Sequence, residues 1–419
     1  MNYNGKKTDK NKIYEVLDKP HILEELYQSE PDSFKKIILS LAKENSESKV
    51  LQVWKARLEY TSKFVIEGFI SPMAVFIIAI VFGLLIRVPE FFIDYEWYYP
   101  RFVPFMTMLS PSVYFLYKNR NTKVSITIAM FSLITILYVS LLPEINQSSS
   151  VAMALIHLPL TFLSLLAFSF LQEDWHQEIK RVAFIKYCGE IFILTVLILL
   201  GGGVFSALVV GLFEMQDLSI EDLYMQNIGI LGVSSAPLVA TYLYDSVLKR
   251  ETFITTLLAK IFAPLFTFFV FSYLSVMVFM GNTPFLNRDF LIVFNGLLIV
   301  VLAIVIFSIV NRTRDGSIIF SDYINISLIF ITLVINLLAL SAIIFRLFEF
   351  GLSPNRFTVL GVNFLVFTHL SIMALAYIKV VTNKADILYL KSKVVQYLPI
   401  YAVWFAFISF FMPLFFSFA

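Results

Sequence analysis

From about residue 68 onward, long apolar runs alternate with short polar stretches, and the runs have the length of a bilayer crossing. A spanning helix needs about 20 mostly apolar residues, within a range of about 17–25. The pattern predicts helices over 69–86, 102–117, 124–142, 151–171, 191–213, 228–244, 257–280, 290–310, 324–345, 357–378 and 400–418. Residues 1–66 follow a different pattern, polar and lysine-rich with short helical periodicities. Phe34, Ile37, Ile38 and Leu41 share one face, and Leu51, Trp54 and Leu58 share another. Ser29-Glu30-Pro31-Asp32 offers a cap, an early-turn proline and an acid where a helix starts. The expected fold is all-α: a small cytoplasmic helical segment, 1–66, then a transmembrane helix bundle, 67–419, of about eleven spans.

Composition agrees. Of the 419 residues, 58% are hydrophobic and 15% charged, against about 45–50% and about 25% in soluble domains. A single soluble core of this size could not hide that much apolar surface, so the lipid bilayer is the expected partner. The single cysteine, Cys188, excludes an intramolecular disulfide. A net charge of +2 gives no reason to expect nucleic acid. No metal site, cofactor fingerprint or catalytic motif is visible.

Basic residues set the expected orientation. Lys118, Arg120, Lys123, Lys180, Arg181, Lys186, Lys249, Arg250, Arg312, Arg314, Lys379, Lys384, Lys391 and Lys393 fall in alternate loops, and the other loops are acidic. The N-terminal segment is thus expected in the cytoplasm and the C-terminus outside. Stretches 172–190 and 379–399 read as interfacial amphipathic helices. Stretch 87–101, rich in Phe, Tyr and Trp, reads as an aromatic belt.

Three features are candidates for function. The first is a pair of weak points in consecutive spans. Gly201, Gly202 and Gly203 invite a break or a very close helix contact, since glycine costs about 1 kcal/mol per residue in a helix. Ser234, Ser235 and Pro237 lie at similar depth in the next span, and broken helices can expose backbone dipoles to an ion or substrate. The second is the intramembrane ionisable set, His157, His369 and Lys260, expensive in lipid and often functional. Asn295, Asn336 and Asn363 are expected to hydrogen-bond between helices. The third is the hairpin 346–356, where Arg346 and Glu349 can pair, Gly351 suits a helix C-terminus, Ser353 suits a cap, and Asn355 and Arg356 complete an outer polar cluster.

The same hairpin carries a resemblance. Gly351-Leu-Ser-Pro-Asn-Arg-Phe357 after Arg346, the stretch Leu258-Ala-Lys-Ile-Phe-Ala-Pro-Leu265, and the N-terminal Leu23-Glu-Glu-Leu-Tyr27 with Trp54-Lys-Ala-Arg-Leu-Glu-Tyr60 resemble a bacterial multi-pass membrane family. That family is domain-of-unknown-function family 4153, and the last stretch resembles its Bacteroidota members. The resemblance implies a bacterial cytoplasmic-membrane location. It points to Arg346, Asn355, Arg356, Lys260 and Pro264, and it implies no catalytic assignment.

Three functional classes follow. A transporter or permease would use the interrupted spans and the histidines. A non-catalytic scaffold, sensor or assembly factor would dock a protein partner through residues 1–60. A membrane-embedded enzyme acting on lipid or envelope precursors would hold phosphate on the outer arginines. The sequence names no substrate.

Overall fold

The computed structural model describes residues 10–29, 31–45, 47–59, 70–248, 250, 254–280, 288–312 and 318–418. Helices dominate, and there is no strand among the described residues. The chain divides into two units, Met1–Gly68 and Phe69–Ala419.

The first unit holds α1 (Lys10–Glu15), α2 (Pro20–Ser29), α3 (Pro31–Glu44) and α4 (Lys49–Glu59). Pro31 opens α3, where its missing N–H costs no helical bond. The predicted faces meet in a small core of Ile13, Leu23, Phe34, Ile38 and Leu51. The rings of Tyr27, Phe34 and Trp54 pack with centroids 5.0–5.8 Å apart. Arg57 lies 4.6 Å from the Trp54 ring and reaches Glu24 at 2.8 Å.

The second unit holds α5 (Pro72–Arg87), α6 (Tyr95–Asn119), α7 (Thr122–Ser140), α8 (Ser149–Leu171), α9 (Glu178–Glu214), α10 (Glu221–Tyr224), α11 (Ile230–Tyr242), α12 (Ile254–Met280), α13 (Arg288–Asn311), α14 (Phe320–Phe350), α15 (Pro354–Val381), α16 (Ile387–Gln396), α17 (Leu398–Phe410) and α18 (Met412–Phe415). A π-helical turn, Met225–Gly229, fuses α10 to α11, and another, Leu243–Val247, extends α11.

Among the described residues, eight helical stretches are long and apolar enough to cross a membrane: Thr122–Ser140, Ser149–His176, Glu178–Glu214, Glu221–Val247, Phe294–Asn311, Phe320–Phe350, Pro354–Val381 and Ile387–Phe410. Pro72–Arg87 and Lys260–Val276 are shorter apolar helices, and α6, with Pro100, Pro104 and Pro111 inside it, is less apolar.

The bundle has two adjoining halves. In one, α13, α14, α15 and α16 share a core around Phe294, Leu328, Leu370 and Leu390. In the other, α5, α6, α8, α9 and α11 meet around Tyr114, Phe115, Tyr187 and Leu238. α17 lies along α8 and α11 lies against α5, α6 and α9. Two glycines allow backbones to close: a Cβ at Gly83 of α5 would overlap the Leu231 side chain of α11, and one at Gly361 of α15 would overlap Trp404 of α17.

Several expectations change. α9 runs unbroken through Gly201, Gly202 and Gly203, all exposed, with open space where each Cβ would be. Neither the break nor the close contact expected there forms: no other helix among the described residues packs against these glycines, and their cost of about 1 kcal/mol each is smaller than that of leaving backbone groups unpaired in an apolar setting. Pro237 likewise stays inside continuous helix. The stretch 172–190 is not a separate interfacial helix; it is a short turn followed by the first turns of α9. In α16 the predicted face, Ile387, Leu390 and Val394, is buried against the bundle's own core. The aromatic belt is split: Phe91, Phe92 and Tyr95 are exposed, while Tyr98 is buried with its hydroxyl donating to the Leu85 carbonyl at 2.6 Å.

Candidate functional site

Helix ends at one side of the bundle are lysine-rich, and two charge clusters are buried there. The first grows from α6. Tyr114 and Lys118 stand four residues apart and so share a helix face. Opposite them, α11 widens into its π-turn, closed by Leu248 N–H donating to the Leu243 carbonyl at 2.8 Å. π-turns insert a residue and recur at functional sites. Here Tyr244 and Asp245 both turn inward. Lys118 Nζ lies 2.5 Å from Asp245 Oδ2, and the Tyr114 hydroxyl donates to the same oxygen at 2.7 Å. Arg250 Nε donates to Asp245 Oδ1 at 2.7 Å. The Asp245 side chain is 1% exposed, Lys118 11% and Arg250 40%, so the carboxylate is sealed and Arg250 is its contact with the surface. Ser246 Oγ lies 2.8 Å from the Tyr114 hydroxyl. One layer deeper, the Tyr187 hydroxyl meets Thr241 Oγ1 at 2.8 Å, and Glu190 is buried near Lys186 and Tyr244.

The second cluster lies between α13 and α14. Arg312 grips Asp322 through Nε at 3.1 Å and Nη2 at 3.0 Å, with both residues buried. Asp322 also accepts from the Ile319 N–H at 2.9 Å, capping α14. Lys391 donates to the Arg312 carbonyl at 2.6 Å. Asn325 donates to Ser308 at 2.7 Å and to Tyr377 at 3.0 Å. A planar guanidinium meeting a carboxylate through two bonds is the strongest form of this contact.

The residues chosen from sequence are scattered. Gly201, Gly202 and Gly203 face outward. Ser234 and Ser235 donate to the Leu231 carbonyl of their own helix, at 3.2 and 2.7 Å. Pro237 is buried, its carbonyl accepting from Thr241 at 2.8 Å. These residues form no common centre. Lys260 is exposed.

The two histidines are joined in an unforeseen way. His369 Nδ1 lies 3.2 Å from the Tyr401 hydroxyl, and its ring stacks on Tyr397 at 4.6 Å. Tyr401 stacks on Phe405, and Phe405 lies 6.2 Å from the His157 ring. One face of α17 therefore runs as a ladder of rings between them. His157 itself bonds the Met153 carbonyl at 2.8 Å. Asn295, Asn336 and Asn363 do link helices: Asn363 donates to Asn295 at 2.7 Å, and Asn336 to the Asn363 carbonyl at 3.2 Å.

The hairpin is compact but differs from expectation. Gly351 has φ +73°, the left-handed range that suits glycine, and its N–H bonds the Leu347 carbonyl. Ser353 caps α15 through the Arg356 N–H. Among the described residues no ion pair joins Arg346 and Glu349; Glu349 is exposed. Arg346 and Arg356 both lie by the Phe350 ring, at 5.6 and 5.5 Å. Arg356 donates to the Phe350 and Gly351 carbonyls at 2.7 and 2.6 Å, so its guanidinium closes the turn. Asn355 keeps a buried Oδ1 with no hydrogen-bond partner.

Sequence reasoning missed Asp245, Glu190 and Asp322 because each sits at the edge of an apolar run, where a charge reads as a loop residue. The tyrosines and lysines one turn further into facing helices were the available signal.

An all-α bundle with this many apolar crossings has the build of a multi-span membrane protein. No family model, curated protein or solved structure matches the chain.

Proposed function

We propose that the chain is a transporter-like protein of a bacterial cytoplasmic membrane and a member of the family 4153 group it resembles. In this reading the helix Glu221–Val247 is the moving element and the Asp245 cluster its latch. The lysine-rich end faces the cytoplasm, together with the N-terminal segment, and the C-terminus lies outside. α5, α6 and α12 cross as well, which brings the eight crossings to about eleven.

Asp245 carries the reading. It is a sealed carboxylate on a π-turn, held between cations from two different segments. Taking Asp245 and Lys118 out of water offsets much of their attraction, so such a cluster contributes little net stability. Buried ionisable groups of the apolar helices often mark ion, proton or substrate routes in membrane proteins. Removing the Asp245 charge would leave Lys118 and Arg250 as like charges and weaken the tie between α11 and α6. The working site thus lies at the end of the bundle rather than at the glycines.

The test uses cysteine access in a Cys188→Ala background. Ser246→Cys should resist a membrane-impermeant thiol reagent while Asp245 is present. Adding Asp245→Asn should speed labelling at least tenfold, from the lysine-rich side. Equal protection of Cys at 246 in both backgrounds removes the latch.

A second reading is a scaffold or assembly factor docking a partner through residues 1–60, and α9 would offer it a further surface. Its most apolar 18-residue window has no buried residue, a face that lipid or a second chain can cover. Recovery of a strictly monomeric, partner-free particle from gentle extraction would remove that reading.

A further inference from the structure

Independently of the transport reading, the lysine-rich ends of α15 and α16 line an open cavity of about 340 Å³, within the range of small-molecule sites. Ile372, Leu375 and Ala376 of α15 form an apolar wall, Tyr397 lies beside them, and Lys379 and Lys393 stand with Gln396 around the same space. Both ammoniums converge on one ring: Lys379 Nζ is 5.3 Å and Lys393 Nζ 5.4 Å from the centroid of Tyr389.

Their other partners are neutral. Lys379 donates to the Tyr389 hydroxyl at 3.1 Å, and Lys393 to Gln396 Oε1 at 2.9 Å. Among the described residues neither is in an ion pair with a carboxylate. The carboxylate beside Lys393 is Glu178, which accepts from Gln396. Arg181 is also near Glu178, so the local balance stays positive.

We infer that this cavity binds one anionic phospholipid, its headgroup phosphate between Lys379 and Lys393 and its first acyl methylenes along Ile372, Leu375 and Ala376. The occupant must be amphiphilic, because the lining changes from cationic to aliphatic within one cavity. It must also be membrane-borne, because the cavity opens where apolar helices end in lysines. Basic pockets between helices at that level take anionic headgroups. Tyr397 stacks on His369, so an occupied cavity would press on the ring ladder of α17.

The experiment uses the full chain purified in neutral detergent. Native mass spectrometry compares retention of phosphatidylglycerol and phosphatidylcholine with identical acyl chains, with glycerol 3-phosphate as the soluble competitor. One phosphatidylglycerol should be held at least tenfold more strongly than phosphatidylcholine, and glycerol 3-phosphate should not displace it. The double variant Lys379→Gln/Lys393→Gln should lose that preference, while Lys379→Arg/Lys393→Arg and Lys384→Gln keep it. Phosphatidylglycerol should also raise the unfolding temperature of the unsubstituted protein above that in phosphatidylcholine, since a ligand that binds only the folded state stabilises it. Equal retention of the two lipids by the unsubstituted protein overturns the inference. So does displacement by glycerol 3-phosphate, which would mark a free-phosphate site, or a Gln double variant that keeps the preference.

Discussion

Arg101 heads the fully buried side chains of the described residues by size. In the sequence it reads as the last residue of a loop. In the structure α6 starts earlier, and Arg101 reaches across to end α7. Its Nη1 donates to the Trp97 carbonyl at 2.9 Å, and its Nη2 to the Leu142 and Pro143 carbonyls at 3.3 and 2.6 Å. The guanidinium also lies 4.8 Å from the Trp97 ring. Leu142 and Pro143 follow the end of α7, and a buried backbone carbonyl needs a hydrogen-bond partner, which the guanidinium supplies to both. Hydrogen bonds to a charged group contribute about 1.5–3 kcal/mol each. Arg101→Ala should cost at least about 2–4 kcal/mol, more than one such bond but less than the plain sum of three, because contributions from one side chain do not add in full; the readout is a drop in unfolding temperature. Arg101→Lys should fall between, because an ammonium cannot span three carbonyls with a planar fork. An unchanged unfolding temperature for the alanine variant would show the contact to be incidental. Nothing in the local sequence marks Arg101 as buried; two of its three acceptors lie 41 and 42 residues away.

At the scale of the element, glycine is the instructive case. Three consecutive glycines are the most visible irregularity in the sequence, yet they sit on an uncovered stretch of α9 with nothing against them. The glycines that decide packing are Gly83 and Gly361, each single and inconspicuous inside an apolar run. A glycine's cost to a helix is local and legible, whereas its benefit depends on what another helix brings to it. Replacing Gly201, Gly202 and Gly203 together by Ala should leave the fold intact and raise stability, at about 1 kcal/mol per residue at most. If α9 also docks another chain, the same variant should lose the co-purifying protein without a fall in unfolding temperature. A fall in unfolding temperature would contradict the open surroundings seen here. For Gly83→Ala the direction reverses, because the new methyl meets Leu231.

For the whole molecule, the alternation of lysine-rich and acidic helix ends makes a prediction that composition alone cannot. Reporter fusions at Lys180 and Glu221, the two ends of one long helix pair, should report opposite sides of the membrane, with Lys180 cytoplasmic. Reporters on the same side would dismantle the proposed orientation and the lipid site's leaflet together. The apolar runs, their helical state and the segregation of charge to the ends were determined by the sequence itself. Each follows from local physics: a backbone in lipid must satisfy its own hydrogen bonds within a helix, and lysine and arginine are expelled from its middle. Which charges meet was decided only by the tertiary structure. Asp245 finds Lys118 across 127 residues, and two distant histidines join one ladder of rings. Such pairings depend on the depth and rotation at which helices pack, and neither is written in any single segment.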